Sequence, residues 1–157
     1  MLFVDDCDDD VRLSMRVLEK AGYEIHKHVV ETPEQFARAL RSGNYDLILC
    51  DYRLPGWNGG DVLAMVRDSG QELPVVLVTG TLGEETAVEM IKLGAVDFVL
   101  KHRLSRLPLA IECALREKQI REERKRAEER LHLFGRILES STEAIAILTP
   151  HARGILQ

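Results

Sequence analysis

Five short apolar runs, set between segments of helical spacing, occupy about the first hundred residues of the chain. The runs are Leu2-Phe3-Val4, Ile25 to Val30, Leu47 to Cys50, Val75 to Val78 and Phe98-Val99-Leu100. Between them, apolar residues recur three to four apart: Val11, Met15 and Leu18; Phe36 and Leu40; Val62, Met65 and Val66; Ala87, Met90 and Ile91. That spacing puts each set on one face of a helix. Strands alternating with helices pair in parallel through right-handed crossovers, so the pattern restricts the chain to an α/β sheet covered on both faces. Leu47 to Cys50 has no polar residue and reads as a strand buried on both sides. Lys27 and His28 interrupt the second run, which suits a position near the sheet edge.

The punctuation agrees. Thr32-Pro33-Glu34-Gln35 supplies a cap, then proline at the first helical position, then an acid. Gly22, Gly43, Gly70 and Gly94 each follow a helical segment, where a left-handed residue is wanted.

The texture changes after Leu104. From there to about Glu139 only Pro108 and Gly135 interrupt, and the middle, "REKQIREERKRAEER", is dense in both charge signs. Glu117 and Arg121, and Glu122 and Arg126, are favourable pairs four apart. Cys113, Ile120, Ala127 and Phe134 recur every seven residues; Leu131 and Leu138 fill the complementary position that Glu117 and Arg124 occupy earlier. Two readings stay open: a coiled-coil seam with polar breaks, and a solvated helix extension. A helix of about thirty residues would run on the order of 45 Å, longer than a small domain needs. Ser140-Ser141-Thr142 then reads as a helix break, and Ala144 to Leu148 as the start of a strand. We expect a first domain over 1–115, a helical linker over 116–139, and at 140–157 the truncated beginning of a second domain or a disordered tail.

Composition removes several function classes. The formal net charge of −5 argues against a main role in nucleic-acid binding, and the acids interleaved through Arg121 to Arg126 count against a basic patch there. No run is long enough to span a bilayer. Cys7, Cys50 and Cys113 are scattered, without zinc-ligand spacing, and read as reduced thiols of a cytosolic protein.

What remains is a set of groups at the strand ends. In a parallel α/β sheet, ligands bind beyond the carboxyl ends of the strands. Asp5 and Asp6 follow the first run, Asp51 the third, Thr79 the fourth and Lys101 the fifth. Clustered carboxylates repel, and a hard divalent cation such as Mg²⁺ relieves the repulsion. A carboxylate beside such an ion can accept a phosphoryl group as an acyl phosphate, with Lys101 and Thr79 placed to contact its oxygens. Pro55 and the glycines after Asp51 make a tight loop there. A calcium loop on "DDCDDD" fails, because Val11 and Val17 stand where glycine and a bidentate acid are needed. Asp8, Asp9 and Asp10 instead suit the N-terminus of the first helix.

"LFVDD", "DLILCDYRLPGWNG", "PVVLVTG" and "GAVDFVLK" occur in an order and spacing that resemble the receiver domain of two-component response regulators. The resemblance covers about residues 1 to 115. It implies a flavodoxin-like, doubly wound sheet of five strands in the order 2-1-3-4-5, with the last helix extended. It also implies Asp51 as phosphoacceptor, with Asp6 and Asp51 as direct Mg²⁺ ligands, Asp5 acting through water, and the backbone carbonyl of Arg53 completing the set. Thr79 and Lys101 would contact the phosphoryl group, and Phe98 matches the switch aromatic whose rotamer follows Thr79. The implied donor is a histidine kinase or histidine phosphotransfer protein, and the implied readout is a homodimer through the C-terminal helix. Two positions depart from the family pattern: His102 follows the lysine where proline is usual, and Gly80 stands where alanine is common. The tail loosely resembles a receiver-to-PAS junction.

Three rivals are weighed against this. One is a degenerate receiver acting as a phosphorylation-independent dimerisation module; the full acceptor set counts against it. An aspartyl-nucleophile phosphatase would want an acid where Arg53 stands. A flavin-binding domain would want phosphate-cradling residues where Asp5 and Asp6 stand. The expected role is therefore that of a signalling phosphoacceptor rather than a dedicated enzyme.

Overall fold

The computed structural model describes residues 1–81 and 83–147. Its central element is a five-stranded parallel sheet in the order β2-β1-β3-β6-β7. The strands are β1 (Leu2–Val4), β2 (His28–Val30), β3 (Ile48–Asp51), β6 (Val75–Thr79) and β7 (Asp97–Leu100). Helices α1 (Asp8–Lys20), α2 (Pro33–Ser42), α3 (Gly59–Ser69), α4 (Glu84–Lys92) and α5 (Leu107–Ile147) connect or follow them. A short hairpin, β4 (Arg53–Leu54) and β5 (Trp57–Asn58), stands apart from the sheet. Leaving that hairpin out, the strand order is the expected doubly wound one.

Alternation along the strands divides the interior in two. Leu2, Val4, Ile48, Cys50, Val75 and Leu77 face Phe36, Leu40, Val62, Leu63 and Val66 of α2 and α3. Phe3, Leu49, Val76, Val78 and Val99 face Val11 and Leu18 of α1 and Leu107, Ala110, Ile111 and Ala114 at the start of α5. Because β1, β3 and β6 are buried on both faces, they carry continuous apolar runs rather than alternating ones. The second strand is shorter than its apolar run: only His28–Val30 pairs, at the sheet edge, and His28 is exposed.

Local chemistry sets the helix starts. Thr32 accepts from the Gln35 amide while the Gln35 side chain accepts from the Thr32 amide, a capping box with Pro33 at the first position. Asn58 and Asp61 form a second box on α3. Gly22, Gly70 and Gly94 have positive φ at helix ends as expected, but Gly43 does not. Its backbone is extended (φ −104°), and the Tyr45 ring occupies the space where a Cβ would be. Close packing, not handedness, selects glycine there.

The helix break expected at Ser140-Ser141-Thr142 is absent. α5 continues through these residues to Ile147. The hydroxyls of Ser140 and Ser141 donate to the carbonyls of Arg136 and Ile137, four residues back, so they are satisfied within the helix instead of competing with it. The strand expected from Ala144 is helical as far as Ile147, and the rest of that expectation lies outside the described residues. The chain divides into two units, Met1–Lys118 and Gln119–Gln157. In the second, Ile120, Leu131, Leu133, Phe134, Ile137 and Leu138 are all more than half exposed. No helix among the described residues is long and apolar enough to cross a membrane.

Candidate phosphoacceptor site

Strand register builds the site. Val4 lies beside Cys50, Cys50 beside Leu77 and Leu77 beside Phe98, forming one row across the sheet. Beyond that row each strand delivers one functional group at its carboxyl end. Asp5 and Asp51 come one residue later, Thr79 two and Lys101 three.

Asp5 and Asp51 are buried, 8% and 7% exposed. The Cys7 amide donates to Asp5 Oδ1 at 2.8 Å, and the Arg53 amide donates to Asp51 Oδ1 at 3.1 Å. The hairpin makes the second contact possible. Pro55 and Gly56 form its turn, and Gly56 has φ +80°, the conformation that favours glycine at the third position of a type II turn. The chain therefore doubles back immediately after Asp51. Beneath it lies the buried Cys50 thiol, which donates to the Asp51 carbonyl oxygen. Burial, then the charges of Asp51 and Asp5, push that thiol well above its ordinary pKa, so it stays neutral.

Lys101 closes the site. Its ammonium donates to Asp51 Oδ2 at 2.6 Å and to Asp10 Oδ2 at 2.5 Å. Burial works against the charged form. Hydrogen bonds to Asp10 and Asp51, with their charges, outweigh it and hold the lysine above its ordinary pKa. The Asp5 carboxyl is raised too, which for an acid disfavours the charged form. Burial raises its pKa to about 6; the Cys7 amide and Lys101 pull it down, while Asp51 and Asp10 push it up.

Asp5, Asp10 and Asp51 each place one carboxylate oxygen within 4.8 Å of the others. Three carboxylates less one ammonium leave two negative charges, the deficit that one divalent cation fills. An oxygen-only donor set of this kind fits Mg²⁺, which is the ion that receiver domains bind at such an aspartate cluster.

The predicted residues fall into two groups. Asp5, Asp51 and Lys101 converge. Thr79 lies at the same sheet edge, fully buried, but its hydroxyl donates to the Thr81 carbonyl at 3.2 Å. Asp6 is exposed and outside the carboxylate group. It lies in the bend that follows β1, one residue after the buried Asp5. Phe98 is half-buried, packing beside the core on β7, the strand that Lys101 follows. Sequence reasoning missed Asp10. From the sequence it is only a favourable charge in the first turn of α1. Its position just before Val11, the first buried residue of that helix, was the available clue.

The family model for the response regulator receiver domain matches residues 1–112. The alginate biosynthesis transcriptional regulatory protein AlgB of Pseudomonas aeruginosa is 31% identical over 156 residues, covering 99% of this chain and 34% of that protein. FixJ of Bradyrhizobium diazoefficiens, a transcriptional regulatory protein, is 31% identical over 118 residues, 74% of this chain and 57% of its own length. The chain thus spans between a third and just over half of these curated relatives. Among solved structures, NtrX from Brucella abortus superposes with a TM-score of 0.71 at 30% identity, covering 83% of this chain and 29% of that one. Sheet order, acidic cluster and family match together make this chain a member of the response regulator receiver domain family.

Proposed function

We propose that Asp51 accepts a phosphoryl group from a phosphohistidine on a histidine kinase or histidine phosphotransfer protein. A carboxylate oxygen of Asp51 attacks phosphorus; the P–N bond breaks, its electron pair leaves with the imidazole, and an acyl phosphate forms. Water later attacks the phosphorus, breaks the bond to the carboxylate oxygen and releases inorganic phosphate. The observation that carries this reading is the 2.6 Å pairing of Lys101 with Asp51, beside two further carboxylates at the strand ends.

Asp51, Asp5 and the Arg53 carbonyl would hold Mg²⁺, with Asp6 turning in from the surface to join them; the ion would offset charge on the transferring group. Lys101 contributes the cation on the other side. Its bond to Asp51 Oδ2 keeps the acceptor carboxylate oriented before transfer and passes to a phosphoryl oxygen afterwards. Thr79 gives up the Thr81 carbonyl to donate to the phosphoryl group, and Phe98 repositions with it. The change then travels through β7 into α5, where a second copy of the chain pairs with the exposed apolar residues. Transmission of this kind requires that the phosphorylated and free forms differ in preference between two conformations. We place this switch in the cytoplasm, acting on an output segment that follows α5, for which a PAS-like domain is our reading. Its catalysis is confined to its own phosphorylation and dephosphorylation.

Trp57 provides the test. It is the only tryptophan, sits in the hairpin after Asp51, packs on Phe36 and donates to the Glu31 carbonyl. Its fluorescence should respond to Mg²⁺ and respond again to beryllofluoride, a phosphoryl mimic. Asp51→Asn should remove the second response; a response that survives the substitution contradicts the assignment.

A further inference from the structure

Lys101 does not belong to Asp51 alone. Its ammonium lies 2.6 Å from Asp51 Oδ2 and 2.5 Å from Asp10 Oδ2, and the two carboxylates come from different elements, β3 and the first turn of α1. The Lys101 and Asp10 side chains are only 26% and 28% exposed, so solvent screens this pair less than a surface pair. Asp5, the third carboxylate gathered there, also lies close to this junction.

The geometry points to Asp10 as a positioning residue that competes with the phosphoryl group for Lys101. This rests on the acceptor reading of Asp51. In the free form Lys101 bridges both carboxylates. Once Asp51 carries a phosphoryl group, the lysine is needed on its oxygens, and Asp10 opposes that in two ways. It retains a share of the ammonium, and its own negative charge faces a dianion. Asp10 therefore favours the free form over the modified one. It sets how readily the site loads, without touching phosphorus.

Asp9 supplies the internal comparison. It lies in the same helical turn, carries the same charge and pairs with Arg12 rather than with Lys101. Both residues favour the helix N-terminus equally through its dipole. Only Asp10 reaches the lysine.

The experiment titrates beryllofluoride into the full chain at saturating Mg²⁺, followed by ¹⁹F NMR, with Mg²⁺ affinity measured separately by Trp57 fluorescence. Asp10→Asn should tighten beryllofluoride binding roughly three- to tenfold, the scale of a partly screened ion pair. Its Mg²⁺ affinity should fall, because one negative charge has left the cluster. Asp9→Asn should leave both constants within about twofold of the natural chain. A helix-stabilising role alone would move the two variants together and would not split the two affinities in opposite directions. Equal or weaker beryllofluoride binding by the folded Asp10→Asn protein, with the natural chain binding normally, overturns the competition and leaves the acceptor reading intact. Absence of binding by the natural chain overturns both.

Discussion

One helix has two characters. At its start, Leu107, Ala110, Ile111 and Ala114 are buried against the sheet; further on, Ile120, Leu131, Phe134 and Leu138 are exposed. Both stretches use apolar residues at helical spacing, yet only the first is buried. The difference separates what the helix does for folding from what it offers to signalling. The first stretch completes a core and is fixed by it. The second holds its helix by pairs four apart, such as Arg124 with Glu128, and keeps its apolar side chains in water. An exposed row of this size is costly to leave uncovered, which is why we read it as a surface for a second copy.

The comparison is broken most severely by truncating a core residue. Ile111→Ala should destabilise the domain by about 2–5 kcal/mol, because a fully buried side chain leaves a cavity. Phe134→Ala, on the exposed stretch, should change stability by less than about 0.5 kcal/mol and reduce self-association instead. Denaturant midpoints and sedimentation of the two variants test this directly; a large stability loss from Phe134→Ala would mean that the second stretch belongs to the fold.

A smaller effect comes from the caps that aim the site elements. Asn58→Ala removes the acceptor for the Gly60 and Asp61 amides and should cost about 1 kcal/mol. Thermal melting reads the loss, and Asp51 chemistry should persist at temperatures where the protein is folded.

The subtlest effect is on pH. Asp5 is raised to about 6 by burial, so the folded state favours its protonated form. Its contribution is therefore fully present below the unfolded carboxyl pKa of about 4 and is lost as pH rises through about 6. In chelator-treated buffer, denaturation midpoints should fall by an amount worth up to about 1–2 kcal/mol over that window. Asp5→Asn should flatten the slope, and an unchanged slope would show that Asp5 is not the group responsible.

Much of this was legible in the sequence. Apolar runs and punctuation were enough for β1, β3 and β6, because these strands are buried on both faces and are apolar up to their functional ends. The site residues Asp5, Asp51 and Lys101 were legible because the sheet order brings strand ends together whatever the loops do. What escaped depended on contacts between elements that sequence spacing does not encode. Gly43 was read as a left-handed cap and is instead a place where Tyr45 needs room. Asp10 was read through its own helix and acts across to Lys101. Ser140 and Ser141 were read as breakers, but hydroxyls that can donate four residues back need not end a helix. The hairpin at Arg53–Asn58 was anticipated only as a tight loop, since two-residue strands carry no period.

The central claim is that Asp51 is the residue that takes the phosphoryl group. Intact-mass measurement after incubation with acetyl phosphate and Mg²⁺ tests it most directly. The account predicts the gain of one phosphoryl group, labile to base as an acyl phosphate is, and its complete loss in Asp51→Asn. A folded natural chain that gains nothing, or an Asp51→Asn chain that gains the same mass, would contradict it.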